Sequence, residues 1–454
     1  MADVAPPPTA FDGKVETLVI GAGACGMVAA LSAAEAGQDV AILERDATPA
    51  GSTALSAGLI PAAGTRFQRE AGIKDTPDLF ASDIQKKAQG ENDPDLVTRL
   101  AVGAAGVVEW LADRHGLPFS VVTDFDYPGH SRRRMHGLPS RSGRELVDRL
   151  RTACEAEGVP ILCEAAVTTL HAESDRVVGV TVARPDGTVE RIGCGRLILA
   201  CNGFGGNRTL VRRHMPQIAD ALWFGHDGNR GEAVLWGEAL GAAAGQLGAY
   251  QGHGNVAHPH GILITWATIT EGGIQVNADG RRFWNEAQGY SEAARAVLTQ
   301  PGGLAWTIFD DRIAGVARQF ADFRAAEQQG AITRADTIED LAEALGLPAA
   351  TLAGTLSALP HGATDPFGRV FATPPLAPPF CGVQVTGALF HTQGGLLTDD
   401  QARVLKADGS AFPNLQAGGG AACGVSGAAD TGYLSGNGLL SAVVLGRLAG
   451  AAVR

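Results

Sequence analysis

Residues Lys14–Ile20, KVETLVI, run straight into GAGACG at 21–26, and MVAALSAAEAG follows without a break. A β-branched apolar run, glycines at the spacing G-x-G-x-x-G and an alanine-rich helix leave few folds open. Gly21 allows a tight turn, Gly23 lets a pyrophosphate approach the backbone, and Gly26 lets the helix pack close to the strand. The helix N-terminus, opening near Ala24, offers N–H groups to phosphates. A second strand, Gln38–Leu43, closes on Glu44, 18 residues past Gly26. An acid there takes the ribose hydroxyls of an adenosine, and Arg45 beside it is counted with the same site. Together these features predict a dinucleotide-binding unit for NAD or FAD rather than NADP.

A second run of small residues, Ala50–Gly58, comes just after the adenosine site. Backbone and hydroxyl groups of Gly51, Ser52, Thr53, Ser56, Ala57 and Gly58 can line a ligand that continues past the pyrophosphate, which favours FAD. The alternative is an ordinary small-residue loop. Further on, 142–160 read as an amphipathic helix, and 161–198 alternate like strands around Pro185-Asp-Gly187 before the buried run RLILACNGFGG. Residues 231–244 are expected to be helical. From about 245 the texture changes to long polar helices at 310–330 and 337–358 and a proline-rich connection at 372–379. From about 380 the small-residue texture returns and ends in the helix Gly438–Val453. The expected architecture is α/β: a Rossmann-like FAD-binding domain in two segments, 12–244 and 376–454, with an α+β capping domain, 245–375, inserted between them.

The formal charge of −12 argues against nucleic acid as a partner. RRR at 132–134 is too short to reverse that; it is expected to be a solvated loop or, alternatively, a contact to a phosphate or an acidic substrate. The seven cysteines are scattered with no CxxC, so no disulfide framework, zinc site, iron–sulfur cluster or c-type haem is expected, and a reducing cytoplasm fits. No apolar run reaches the length of a membrane span. MADVAPPPTAFDG lacks the regions of a signal peptide and reads as a flexible lead-in.

GAGACG, GSTALSAGL, LILACNGFGGN, RRFWNE, HTQGGLLTD and SGNGLLSAVVLGRLAG occur in that order. This ordered set resembles the FAD-dependent fumarate reductase/succinate dehydrogenase flavoprotein superfamily over nearly all of residues 14–452. That superfamily includes soluble fumarate reductases, L-aspartate oxidase, urocanate reductase and 3-ketosteroid dehydrogenases. The resemblance implies FAD and hydride transfer between flavin N5 and one carbon of a C–C bond next to a carbonyl or carboxylate. A protein acid or base then handles the proton on the neighbouring carbon. It also implies cofactor contacts at Val167, Ala200, Gly203 and Asn207, and at Gly419, Gly436, Asn437, Leu439 and Leu440. Glu286 is expected to touch the flavin or to brace the cap loop. Some relatives attach FAD covalently through a histidine near GSTALSAG; none stands there, so noncovalent FAD is expected. Gly420 replaces a glutamate that many relatives direct at the ribityl chain.

The substrate positions depart from the fumarate reductases. Gln251-Gly-His253 and His391 match the two histidines. Where relatives place a proton-delivering arginine after RFxNE, this chain has Tyr290, and where they place a carboxylate-clamping arginine before GN, it has Tyr433. Trp266 and Ile269 fall where those reductases carry proton-relay residues. A bidentate guanidinium–carboxylate pair is among the strongest polar contacts, whereas a phenol offers one neutral donor. The expected substrate is therefore a small, cyclic ketone or oxo-acid, dehydrogenated α,β to its carbonyl or reduced in reverse. Tyr290 handles the proton, as the similar tyrosine of the ketosteroid dehydrogenases implies; His391, Tyr433 and His253 hold or polarise the oxygen. Tyr290 could instead merely pack the cap. Two rivals remain: a fumarate- or urocanate-type reductase using Arg132–Arg134 or Arg295, and a flavin-binding module without turnover. The electron partner stays open. His253, His258 and His260, spaced five and two apart without a nearby acid, are not a zinc site.

Overall fold

The computed structural model describes residues 2–360 and 362–452. They divide into two compact units: Met1–Met215 with Gly225–Tyr250 and His391–Arg454, and Pro216–Phe224 with Gln251–Phe390.

The first unit is built on a nine-stranded sheet. Gly13–Ile20 lies between Val40–Leu43 and Val189–Leu199, parallel to both, and Ala411–Ala417 adds a further parallel strand beside Leu197–Leu199. The amino-terminal half of Val189–Leu199 pairs instead with Arg176–Ala183, antiparallel, and so carries the meander of Ala166–Glu173 and Arg176–Ala183. One strand thus serves a parallel core at its end and a meander at its start. The parallel strands finish together: Gly21 N–H bonds Leu43 O, Ala200 N–H bonds Ile20 O and Gly418 N–H bonds Leu199 O. Ligands of open α/β sheets sit beyond these carboxyl ends.

Helix Ala24–Glu35 is buried along most of its length, which its alanines allow, and helix Asn437–Ala451 lies against it. The contact uses missing side chains. A Cβ on Gly446 would stand 2.6 Å from Cys25 O, and one on Gly450 would stand 2.1 Å from Ala29 O. The N-terminal segment is not the expected lead-in. Asp3–Ala5 is an edge strand parallel to Ala166–Glu173, and the Phe11 ring lies over Gly179 and Gly193, where a Cβ would collide with it. Two glycines in the meander make room for one aromatic anchor.

The second unit is a seven-stranded sheet ordered Ile262–Leu263, Tyr250–Ala257, Phe380–Thr392, Leu304–Asp310, Ile274–Val276, with Leu222–Trp223 and Thr333–Ala335 also paired to the long strand. This unit continues to Phe390 rather than ending at 375, because Phe380–Asp310 and Thr386–Leu304 are register partners within one antiparallel ladder. Residues 216–224 join it because Leu222–Trp223 pairs in parallel with Ala388 and Leu389. The two long helices expected here are four shorter ones: Asp311–Ala317, Ala321–Gln328, Ile338–Leu345 and Ala349–Ser357. Gly346 ends the third in a left-handed cap, and Pro348 starts the fourth. Helix Tyr290–Leu298 is laid directly on the sheet. A Cβ on Gly254 would come within 2.3 Å of Ala293 C, and one on Gly387 within 2.4 Å of Ala294 O.

Among the described residues no helix is long and apolar enough to cross a membrane.

Candidate active site

At the head of the first unit, Gly21 has φ +104°, and a Cβ there would stand 2.6 Å from Ala200 O. A Cβ on Gly26 would stand 1.8 Å from Gly21 O. The turn and the helix therefore close on each other as the glycine spacing predicts. Gly23 caps the helix without a side-chain bond, and the Ala24 N–H donates to Thr53 Oγ1 at 3.0 Å. Glu44 is buried, its Oε2 accepting from Ala22 N–H at 2.7 Å and its Oε1 from Asp46 N–H at 3.0 Å. A carboxylate has about four acceptor sites, so two amides orient it without exhausting it. The Glu44 carbonyl takes the Ala165 N–H, which brings Val167 and its strand away from the same point.

Arg45 is engaged by Glu232 at 3.0 Å and by the Gly228 carbonyl. Gly51–Ala54 is a short helix, and Ser52 Oγ accepts from the Asn202 amide at 2.7 Å and the Asn229 amide at 2.9 Å. Ser56 Oγ bonds Thr53 O and takes the Gly58 N–H, and the Ser56 carbonyl takes the Gly143 N–H at 2.8 Å, so the Ser56–Gly58 turn is tied to the start of helix Gly143–Ala156. Gly58 also fits closely: a Cβ would stand 2.7 Å from Ser142 O. Gly203 packs on Thr392, whose Oγ1 lies 1.9 Å from where a Cβ would be. Asn207 caps helix Arg208–His214 through its Oδ1 and gives its Nδ2 to Arg230 O, so its amide serves the fold.

The opening of helix Asn437–Ala451 is different. Gly419 and Gly436 have φ +57° and +88°. Leu440 is buried in the core, and Leu439 packs against it. Yet Asn437 Oδ1 and Ser441 Oγ, one turn apart and 0% and 3% exposed as residues, have no hydrogen-bond partner among the described residues. Buried polar atoms without partners cost about 1–3 kcal/mol each, and these two stand beside the glycine cradle, where a ligand's polar edge could satisfy them. A glycine cradle, an oriented carboxylate and these two orphaned atoms fit a long polar dinucleotide.

His391 and Tyr433 meet in this unit with ring centroids 5.5 Å apart, edge to face. Burial pushes the Tyr433 phenol above its ordinary pKa, while the Gly436 and Gly438 N–H groups donate to its oxygen. The phenol stays protonated, and with its oxygen already accepting, it has a proton to donate. Burial pushes His391 down to about 4, although its edge is partly exposed. At neutral pH both groups are uncharged donors. Arg134, central to the arginine triplet, is buried between Asp75 at 2.9 Å and Asp83 at 2.5 Å. Arg133 pairs with Asp126 in solvent, and Arg132 bonds the carbonyls of Lys74 and Ser131. The triplet is thus neither a uniformly solvated loop nor a free anion site.

In the second unit Tyr290 is the first residue of helix Tyr290–Leu298. Its ring stacks on His253 at 5.0 Å and 17°, His253 stacks on Phe390 at 5.5 Å, and Phe390 stacks on Phe224 at 4.9 Å. Trp266 stands edge-on to His253 at 5.7 Å. Burial pushes His253 down to about 3, and its Nδ1 accepts the Asn255 N–H at 3.2 Å, which leaves the proton on Nε2. Gly252 N–H bonds Ser291 Oγ at 3.0 Å, fastening the strand that carries His253 to the helix that carries Tyr290. Ile269 is buried close by, His258 and His260 lie in the exposed loop beyond the strand, and Arg295 is exposed.

Glu286 is fully enclosed. Arg282 Nε lies at 2.9 Å and Arg369 Nη1 at 3.2 Å, and Gln275 N–H donates at 3.0 Å. Its carboxylate braces its own unit. The signal was present in the sequence, since Arg282 and Glu286 are four apart. Asn202 adopts a left-handed φ of +66°, a conformation asparagine tolerates.

Neutral buried histidines make acid the weak side of this protein. His253 near 3, and His136 held near 4 by burial, both lie below the unfolded value of about 6.5. Below pH 6.5 the unfolded chain binds the extra protons, so this stability is complete above 6.5 and lost as pH falls toward the folded values. Each should contribute a loss of about 2 kcal/mol by pH 5. Urea midpoints measured at pH 7.5, 6 and 5 should fall steadily; equal midpoints at 7.5 and 5 would contradict it.

The family described as FAD binding domain matches residues 16–439. "Probable fumarate reductase Ifc3" of Shewanella frigidimarina is 32% identical over 447 residues, 96% of this chain and 74% of that protein. The structure of the open conformation of a flavocytochrome c3 fumarate reductase superposes with a TM-score of 0.83 at 29% identity, covering 97% of this chain and 78% of that one. The 3-ketosteroid-delta4-(5alpha)-dehydrogenase of Rhodococcus jostii RHA1, solved with 4-androstene-3,17-dione, gives 0.78 at 26% identity, covering 99% and 98%.

Proposed function

The chain belongs to the FAD binding domain family, and from that premise we propose that it is an FAD-dependent oxidoreductase that desaturates, or reduces, the bond α,β to a carbonyl in a small, cyclic ketone or oxo-acid. The observation that carries the substrate class is the pair His391 and Tyr433, two uncharged donors where a carboxylate would need a cation. FAD, when bound, supplies the hydride acceptor or donor. Gly21, Gly23 and Ala24 take its phosphates, Glu44 its ribose, and Asn437 and Ser441 its remaining polar edge. Its attachment is noncovalent, since GSTALSAG carries no histidine.

His391 and Tyr433 donate to the carbonyl oxygen and stabilise the enolate that forms when the neighbouring proton leaves. One such donor is worth about 10²–10³ in kcat. Tyr290 removes or returns that proton. Its place is the first position of helix Tyr290–Leu298. His253, stacked and neutral, orients the Tyr290 ring. The electron partner stays open, and the cytoplasm is the compartment we assign, supported by seven unpaired cysteines.

Anaerobic titration tests the substrate class. A saturated cyclic ketone should bleach the flavin absorbance and succinate should not; the reverse would overturn the proposal. The reverse is also what the second reading, a carboxylate ene-reductase, requires, and the similarity to a fumarate reductase favours it. Tyr290→Phe should retain FAD and lose about 10²–10⁴-fold in turnover. Turnover near wild type would remove Tyr290 from the chemistry.

A further inference from the structure

A neutral histidine can donate from only one ring nitrogen, so a carbonyl-polarising role for His391 depends on where its proton sits. Nδ1 of His391 meets two groups that ask for opposite answers. Gln393 Nε2 stands 3.0 Å away and would donate to it; Thr392 O stands 3.3 Å away and would accept from it. The Thr392 carbonyl is the more distant of the two.

The groups behind Gln393 favour the first answer. Asn437 Nδ2–H donates to Ser426 Oγ at 3.0 Å, and Ser426 Oγ–H donates to Gln393 Oε1 at 2.8 Å. With its carbonyl thus occupied, Gln393 turns its NH2 group to His391. All three residues are buried: Asn437 0%, Ser426 1% and Gln393 5% exposed. The backbone of Gln393 is fixed as well, its N–H on Ala249 O and its carbonyl on Gly424 N–H, each at 2.8 Å. The donors all run one way, from the start of the last helix to the imidazole.

We propose that Gln393 is a positioning residue that holds His391 as the Nε2–H tautomer, with the amide sense of Gln393 set by Ser426 and Asn437. The consequence for catalysis rests on the reading of His391 given above. The His391 ring lies over the first turn of that helix, where a Cβ on Gly438 would meet its Cε1 at 3.2 Å and its Nε2 at 3.4 Å.

The test is the tautomer itself, read by two-bond ¹H–¹⁵N correlation on the FAD-loaded protein with ¹⁵N-labelled histidine. The His391 signals are identified by their loss in His391→Asn. Wild type should show the proton on Nε2. Gln393→Glu, close in shape but only an acceptor when ionised, should draw the proton to Nδ1 and lower kcat about 10²-fold with KM little changed. Ser426→Ala, which leaves both Gln393 and His391 in place, should give a mixture of tautomers and serves if Gln393→Glu fails to fold. A wild-type proton on Nδ1 overturns the proposal, as does a Gln393→Glu spectrum like wild type. If the tautomer moves and turnover does not, the positioning of His391 stands and its role at the carbonyl falls.

Discussion

Gly26→Ala should yield protein without flavin. The added Cβ would stand 1.8 Å from Gly21 O and 3.2 Å from Val19 Cγ1. The first is backbone at a strand end, the second a side chain of the same buried strand, so neither can move without opening the parallel sheet. A clash of this kind belongs with the most damaging core substitutions, on the order of 4 kcal/mol or more. Gly106→Ala is the matched control. Gly106 lies exposed within helix Pro94–His115 with nothing within 4 Å of a Cβ, so alanine there should be neutral or add up to about 1 kcal/mol. Flavin absorbance per protein after purification and the melting temperature measure both. Gly26→Ala with full flavin content would mean that the close approach of helix and turn is not what shapes the nucleotide site.

Glu286→Ala should produce the next largest effect, in the second unit. Two buried guanidiniums, Arg282 and Arg369, share its carboxylate, and Asp365 pairs directly with Arg282. Arg369 is further tied to the carbonyls of Gly273 and Ile269 and lies over the Phe371 ring at 4.4 Å. Removing Glu286 leaves two cations facing one anion away from water, at a cost of about 3–5 kcal/mol. For a unit of this size that is a fall in melting temperature of roughly 10 °C. A melt within two degrees or so of wild type, combined with weaker FAD binding, would instead return Glu286 to the cofactor.

The nucleotide unit was legible because each of its requirements is local. Three glycines, a helix start and one acid lie within thirty residues, and each answers to backbone geometry. The start of the last helix was legible for the same reason. Glu286 was harder, because an acid near an expected flavin and an acid paired with buried arginines look alike until Asp365 and Arg369 are brought beside it. The break in 337–358 could be read from Gly346 and Pro348. The break in 310–330 could not, since no glycine or proline stands between Ala317 and Ala321. The end of the second unit was missed because a thirteen-residue strand, Phe380–Thr392, runs through the composition change that suggested a boundary. The chain from Asn437 through Ser426 and Gln393 to His391 draws on residues spread over more than forty positions, so no periodicity could disclose it.

The first unit takes its innermost partners from far apart in the sequence: Cys25 and Ala29 rest on Gly446 and Gly450, and Leu197 on Leu415. During synthesis helix Ala24–Glu35 must therefore wait, apolar face uncovered, until some four hundred further residues have left the ribosome, while every strand of the second unit's sheet is already in hand by Thr392. Such a delay exposes the emerging segment to holdase chaperones and to aggregation, and it makes late truncation far more harmful than its length suggests.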